Sequence, residues 1–230
     1  VKNNVLVSSM SVGGGLGNSS ATITVSADSQ SGFAADYNDY ASLNERSTGR
    51  WGIFDYSTYP GWRAASGGDA HSIGVDPLWK GPGLEDFHPK SDAGSWNPVA
   101  EIFFPDASTF ISATIDAGDP AEGAGAEFAP NGSRANLGSY GGTSEASRTS
   151  ANMPSGCGMV FNVKWDGTRE FRGIQNAVSG LPQSLEKDIC VVIRDVLTYG
   201  EQVTVPAGTV EEANSAVEAA SCASPSPSPL

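Results

Sequence analysis

Residues 134–143 read Arg134-Ala135-Asn136-Leu137-Gly138-Ser139-Tyr140-Gly141-Gly142-Thr143, and this stretch decides the predicted fold. Two groups of turn-forming residues come before it: Asp116-Ala117-Gly118-Asp119-Pro120 and Pro130-Asn131-Gly132-Ser133. Gly, Pro, Asn and Asp in such groups favour tight turns. The glycines of 134–143 also permit left-handed or very closely packed backbone. The region therefore predicts a succession of turns rather than a long helix.

Short runs of β-branched and aromatic residues come before these turns. They are Val5-Leu6-Val7, Ala21-Thr22-Ile23-Thr24-Val25, Asp36 to Tyr40, Trp51 to Phe54, His71 to Val75, Glu101 to Phe104 and Thr109 to Ile115. The run Ala21–Val25 alternates with the period of two that is typical of a half-buried strand. Strands this short need neighbours to stack on. The long inserts 49–68 and 81–97 are interpreted as loops that leave the stacked strands.

The pattern changes after a connector at residues 148–158. Strands are predicted at Met159–Val163, Ile189–Ile193 and Glu201–Val205. A helix is predicted over Phe171–Leu181, because its apolar residues fall on one face and Pro182 ends it. A weak helix is predicted over Thr209–Ser221, and the following Ser-Pro alternation favours an extended linker.

Two segments resemble parts of a known family of solenoid proteins. Residues 116–147, with the earlier pieces 1–5, 35–38 and 69–78, resemble the final coils of secreted bacterial right-handed parallel β-helix proteins of the pectin-lyase-like kind. The run 165–178, with Val191-Val192-Ile193 and Thr198 to Val205, is similar to the beginning of a pectin methylesterase β-helix. That family's catalytic Asp pair, Arg and Gln lie in later coils, so the resemblance transfers no catalytic residue.

The resemblance implies an all-β fold with a short capping helix. We expect the last coils of one β-helix over residues 1–147, a linker over 148–158, the cap and first coil of a second β-helix over 159–208, and a weak helix with a Ser-Pro tail over 209–230. The chain is then expected to be a fragment of a longer protein.

Charge and cysteine content limit the partners. Thirteen Lys and Arg against 26 Asp and Glu give a net charge of −13, which disfavours nucleic acids, anionic membrane surfaces and free polygalacturonate. No apolar run is long enough to cross a membrane. Three cysteines, Cys157, Cys190 and Cys222, leave at least one unpaired within the chain. A Cys157–Cys190 bond is one of the pairings that the sequence allows.

Acid–base and metal-binding candidates come from the polar residues near the predicted strands. His71 lies close to Asp69 and Asp76, and an Asp/His pair can transfer protons; a turn in which the histidine bonds backbone is the alternative. His88 has the same alternative. Asp36, Asn38 and Asp39 carry oxygens that suit calcium, as do Asp116 and Asp119, although the last two also suit hydrogen bonds to turn amides.

Five aromatic residues in the predicted loops are candidate sugar-stacking residues: Trp51, Tyr59, Trp62, Trp79 and Trp96. Packing of the loops onto the strands is the alternative. We therefore expect an extracellular or cell-surface protein with a structural, adhesive or carbohydrate-binding role and a polysaccharide or cell-surface glycan as partner. The alternative is part of a calcium-dependent polysaccharide lyase or a glycoside hydrolase.

Overall fold

The computed structural model describes residues 1–8, 21–42, 47–106, 111–154 and 156–205. Its strands and helices, in chain order, are β1 (Val5–Ser8), β2 (Ala21–Val25), β3 (Asp39–Ser42), β4 (Ser47–Trp51), β5 (Phe54–Tyr56), α1 (Tyr59–Ser66), β6 (Trp79–Gly81), β7 (Asp86–Pro89), β8 (Ser95–Asn97), β9 (Ile102–Phe104), β10 (Met159–Val163), α2 (Ile174–Ser179) and β11 (Ile189–Ile193). The predicted helix 209–221, the Ser-Pro tail, Cys222 and residues 109–110 lie outside the described residues.

Three strand pairs are parallel. They are β1 with β3, β2 with β4, and β10 with β11. The β10–β11 pair is in register from Met159 opposite Ile189 to Val163 opposite Ile193. The sequence predicts both strands at the residues where they occur. Their β-branched and aromatic side chains favour extended backbone when other side chains bury them.

The other three pairs are antiparallel hairpins that lie inside or beside the inserts interpreted as loops. β4 pairs with β5, β6 with β7, and β8 with β9. The β4–β5 turn falls at Gly52, whose φ of 64° is in the left-handed region. The run Trp51–Phe54, predicted as one strand, is therefore the turn of a hairpin.

The prediction of a right-handed parallel β-helix is wrong. The strands form five separate sheets of two or three strands each, and no solenoid sheet joins them within the described ranges. In the three hairpins, each strand forms antiparallel hydrogen bonds with its neighbour in the chain, whereas a β-helix would need parallel bonds to the next coil. Ile73 makes only an isolated bridge to Asp39, and Ile111–Ile115 and Glu201–Val205 form no strand.

Turns and side chains satisfy the backbone of residues 111–147 in place of a sheet. The buried Asn136 amide accepts the Asp116 N–H at 2.9 Å and donates to the Ser147 carbonyl at 2.7 Å. The Glu127 carboxylate accepts the N–H groups of Asn136 and Gly142, both at 2.8 Å. These side chains replace the ladder bonds that a coil would need.

One apolar core crosses the predicted linker. Ile73, Val75, Ala113, Ala117 and Leu137 pack in the same cluster as members from the C-terminal part. Those members are Met159, Phe161, Val163, Phe171 and Ala177. The two segments on either side of residues 148–158 therefore bury their apolar side chains against each other, and the Cys157–Cys190 disulfide lies beside this contact.

The two described helices are short. In α1 the Thr58 hydroxyl accepts the Gly61 N–H, Pro60 lies in the first turn, and Gly67 ends the helix with a φ of 69°. α2 is shorter than predicted, because Phe171 is still paired with Val163 as a bridge and Gly173 precedes the first turn. Neither described helix has the length and apolar character needed to cross a membrane.

Candidate functional site

Two neighbouring hairpins, β6–β7 and β8–β9, each carry an edge-to-face aromatic pair. In the first hairpin Trp79 and Phe87 have ring centroids 4.9 Å apart at 77°. In the second, Trp96 and Phe103 face each other across the strands with centroids 5.1 Å apart at 64°. Strands β7 and β8 are in contact, which places the two hairpins side by side.

The second pair belongs to a larger group that we call the aromatic cluster: Trp96, Phe103 and Phe128. The Phe128 ring stands perpendicular to Phe103, with centroids 6.2 Å apart, and 53% of Phe128 is exposed. The guanidinium of Arg148 lies 4.1 Å from the Phe103 ring centroid. A cation over an aromatic face is an attractive arrangement, so Arg148 holds one side of the aromatic cluster in place.

The aromatic residues proposed for sugar stacking occupy different environments. Trp62 has no exposed surface and Tyr59 is 5% exposed, so both are core residues. Trp51 is half-buried and packs edge-on against Trp62, with centroids 5.9 Å apart. Trp79 and Trp96 lie on the two aromatic hairpins, one on each. Sequence reasoning did not select Phe103 and Phe128, which reach the aromatic cluster from segments 25 residues apart.

Tyr40, Tyr59 and Trp62 belong to a second apolar core, and the Asp69 carboxylate lies among its polar groups. Its carboxylate, 1% exposed, accepts hydrogen bonds from Asn38 Nδ2, Tyr40 OH, Trp62 Nε1 and Ser72 Oγ. Four donors around one buried carboxylate compensate for the lost water. The hydrogen bonds of Asp69 thus go to groups other than the His71 ring, and Asp76 bonds the Leu78 N–H at 2.9 Å. The structure does not bring the three predicted catalytic residues together.

His71 is paired instead with Asp36, which the sequence suggested as a calcium ligand. His71 Nδ1 lies 2.7 Å from Asp36 Oδ2, and the other Asp36 oxygen accepts the His71 N–H at 2.7 Å. Because a carboxylate only accepts, Nδ1 carries the hydrogen. Nε2 lies 3.8 Å from Glu186 Oε1, and Tyr37 stacks on the imidazole with centroids 4.7 Å apart.

A small pocket opens beside this arrangement. It is lined by His71, Arg134, Glu186 and Lys187 over an apolar floor. Arg134 Nη1 and the Tyr37 hydroxyl donate to the Glu186 carboxylate at 2.8 and 2.6 Å. Burial lowers the pKa of Lys187 to about 8, and its ammonium donates to the Asp116 carbonyl at 2.9 Å. The pocket therefore places the imidazole of the Asp36–His71 pair beside a carboxylate and two basic side chains.

The predicted calcium ligands point to different partners. Asp36 binds His71, Asn38 Nδ2 donates to the Val1 carbonyl at 3.1 Å, and Asp39 Oδ1 accepts the Val75 N–H at 3.0 Å. Burial raises the pKa of Asp39 well above its ordinary value. No group of three or more His, Cys, Asp or Glu in the described ranges is arranged to hold a metal ion. Calcium binding stays a prediction.

Asp119 bonds a turn amide, as the alternative expected, whereas Asp116 bonds a side-chain hydroxyl instead. Asp119 Oδ1 accepts the Ala121 N–H at 2.9 Å and Oδ2 pairs with Lys2 at 2.5 Å. Asp116 Oδ2 accepts from the Thr149 hydroxyl at 2.8 Å, and burial raises the pKa of Asp116. Their carboxylates are engaged in turns and in contacts between segments.

The second histidine, His88, repeats the geometry of the first. Its Nδ1 lies 2.7 Å from Asp86 Oδ1, its Nε2 lies 3.9 Å from Glu145 Oε2, and its ring stacks on Tyr140 with centroids 3.6 Å apart. His88 is 1% exposed, whereas 27% of the His71 side chain is accessible. Of the two, His71 is the one that a substrate can reach.

Comparison with known proteins supplies no relative. No family model, curated protein or solved structure matches this chain.

Proposed function

We propose that this chain binds carbohydrate outside the cell or at the cell surface, in a structural or adhesive role. The observation that carries the proposal is the aromatic cluster at the β8–β9 hairpin, which Phe128 completes from a later segment, with Trp79 and Phe87 on the adjoining hairpin. Aromatic rings that keep an open face can stack on the CH groups of a sugar ring while excluding water. Phe128 and Phe87 are 53% and 37% exposed.

The extracellular location rests on a second observation. Cys157 and Cys190 form a disulfide that links the two segments on either side of β10 and α2. Disulfides persist in oxidising compartments and are rare in reducing ones. The net charge of −13 is consistent with a soluble surface protein and disfavours polyanionic partners.

Binding to a panel of immobilised polysaccharides and glycans tests the proposal. Trp96→Ala and Phe128→Ala are expected to weaken binding about tenfold or more, the loss typical of a central stacking aromatic. Trp165→Ala is the matched control. Trp165 is an exposed aromatic residue, 60% accessible, but it lies near Tyr199 in the C-terminal part and outside the aromatic cluster. Absence of binding across the panel, or equal loss in the Trp165 variant, would refute the proposal.

A second candidate function, polysaccharide cleavage, is supported by the Asp36–His71 pair beside Glu186. With Nδ1 bonded to Asp36, Nε2 is the nitrogen that can accept a proton from a substrate. Release of reducing or unsaturated ends from the same panel, with calcium present, and its loss in His71→Gln would establish this function. An inert wild-type protein would exclude it for those substrates.

A further inference from the structure

The guanidinium of Arg148 lies against the aromatic cluster, and its N–H donors have no hydrogen-bond acceptor among the described residues. Arg148 is fixed through its backbone: its N–H donates to the Gly94 carbonyl at 2.9 Å and its carbonyl accepts from Ser91 Oγ at 2.5 Å. Its side chain lies over Phe103. Within the described residues the guanidinium makes no hydrogen bond and no ion pair, and its Nε is buried without a partner.

The protein has twice as many carboxylates as basic side chains, yet the guanidinium of Arg148 pairs with no described carboxylate. Arg50 and Arg134 each pair with a carboxylate, Asp55 and Glu186 respectively. Acidic residues on the neighbouring segments bond to other groups, although Asp92 Oδ1 is itself buried without a partner. Asp106 accepts from Ser91 and Ser95, and Asp92 accepts from Asn152. Glu145 faces His88.

Arg148 is half-buried, and among the described residues Nε is the one guanidinium nitrogen of Arg148 that is buried without a partner. Nη1 and Nη2 form a planar fork that matches the two oxygens of a carboxylate. Stacking on Phe103 orients this fork in advance, so that little side-chain freedom is lost when a ligand binds. The donors therefore lie beside the rings on which a sugar would stack.

We propose that Arg148 binds the carboxylate of a uronic acid whose ring, or whose neighbouring sugar, stacks on the aromatic cluster. The inference rests on the proposed carbohydrate-binding function and names the class of glycan. The net charge of −13 and the exposed carboxylates Glu85 and Glu101 on the same two hairpins oppose a polyuronate. The ligand is thus a largely neutral chain that carries single uronic acids.

Two matched oligosaccharides test this class directly. One is a glucose tetrasaccharide and the other is the same tetrasaccharide with glucuronic acid as its terminal sugar. Isothermal titration calorimetry with the disulfide-intact protein is expected to show at least tenfold tighter binding of the acidic one, as an oriented charge-assisted pair provides. A polyglucuronate of equal length is expected to bind more weakly than the singly charged chain.

Arg148→Gln removes the charge and keeps part of the aliphatic side chain over Phe103. It should lower the ratio of the affinities for the acidic and the neutral chain to about one. Binding of the neutral chain should persist. Arg148→Lys should restore part of the ratio, because an ammonium supplies charge but no fork. Arg172→Gln, a change at an exposed arginine outside the aromatic cluster, should leave the ratio unchanged.

The outcomes separate the two proposals. If the acidic chain keeps its advantage in Arg148→Gln, or the wild-type protein prefers the neutral chain, the assignment of Arg148 is refuted while carbohydrate binding stands. If Trp96→Ala and Phe128→Ala have no effect on either chain, the aromatic cluster is not the binding site and both proposals fail. Urea unfolding of each variant shows whether a loss of binding comes from a loss of fold.

Discussion

Replacement of Trp62 by alanine tests the division of the tryptophans into core and surface residues. Trp62 has no exposed surface and is enclosed by Tyr40, Tyr59 and Trp51. Its indole Nε1 also donates to Asp69 Oδ2 at 3.1 Å. The substitution therefore removes a large buried ring and one of the donors around a buried carboxylate.

Both losses can be estimated. Burying an aromatic side chain of about 200 Å² at roughly 25 cal/mol/Å² contributes about 5 kcal/mol, and measured large-to-small aromatic changes cost about 3–5 kcal/mol. A lost hydrogen bond to a charged group costs about 1.5–3 kcal/mol. We expect Trp62→Ala to lower the free energy of unfolding by about 5 kcal/mol, and Trp62→Phe, which keeps a ring but not the donor, by about 2 kcal/mol.

Urea unfolding followed by far-ultraviolet circular dichroism measures these changes without depending on the tryptophan that is removed. Trp165→Ala is the control, and a change within about 0.5 kcal/mol is expected because the residue is exposed. A loss below about 1 kcal/mol in Trp62→Ala would refute the assignment of Trp62 to the core. It would also return this tryptophan to the set of ligand-stacking candidates.

Three other predictions concern stability. Reduction of Cys157–Cys190, or its replacement by two serines, should lower the free energy of unfolding by about 4 kcal/mol for a separation of 33 residues, whereas Cys222→Ser should not. Gly49→Ala should destabilise by about 1–3 kcal/mol, since its Cβ would lie 2.1 Å from the Trp62 ring; full stability would contradict this packing. Burial raises the pKa of Glu170 to about 7. The folded state then retains a proton that the unfolded state loses, so stability should fall by up to about 3 kcal/mol between pH 4.5 and 7. Glu170→Gln should flatten that dependence in urea unfolding at several pH values.

The elements that could be predicted are those whose signal is local. β2, β10 and β11 occur at the residues that alternation or β-branched runs selected. α1 was missed, although Thr58 as cap, Pro60 in the first turn and Gly67 at the end are signals of a short helix. The density of aromatic residues in this insert favours a loop interpretation, whereas the cap residues on either side indicate the helix.

The structure gives several predicted site residues hydrogen-bond partners that lie far away in the chain. Asp69 and Asp76 are near His71 in sequence, yet Asp36, 35 residues away, provides the carboxylate that His71 binds. Similarly, Arg148 meets Phe103 from a segment 45 residues later. The sequence shows which residue types lie close together along the chain. The hydrogen-bond partner of each side chain depends instead on which distant turns pack against it.

The amino-acid sequence alone determined the short strands, the dense turns and the acidic surface, because backbone preferences and charge are properties of each residue and its neighbours. Only the tertiary structure decided how the strands pair, which tryptophans are buried and which carboxylate each histidine binds. A strand of three to five residues has no pairing preference strong enough to fix its partner. That partner is chosen by the apolar area that the surrounding segments can bury together.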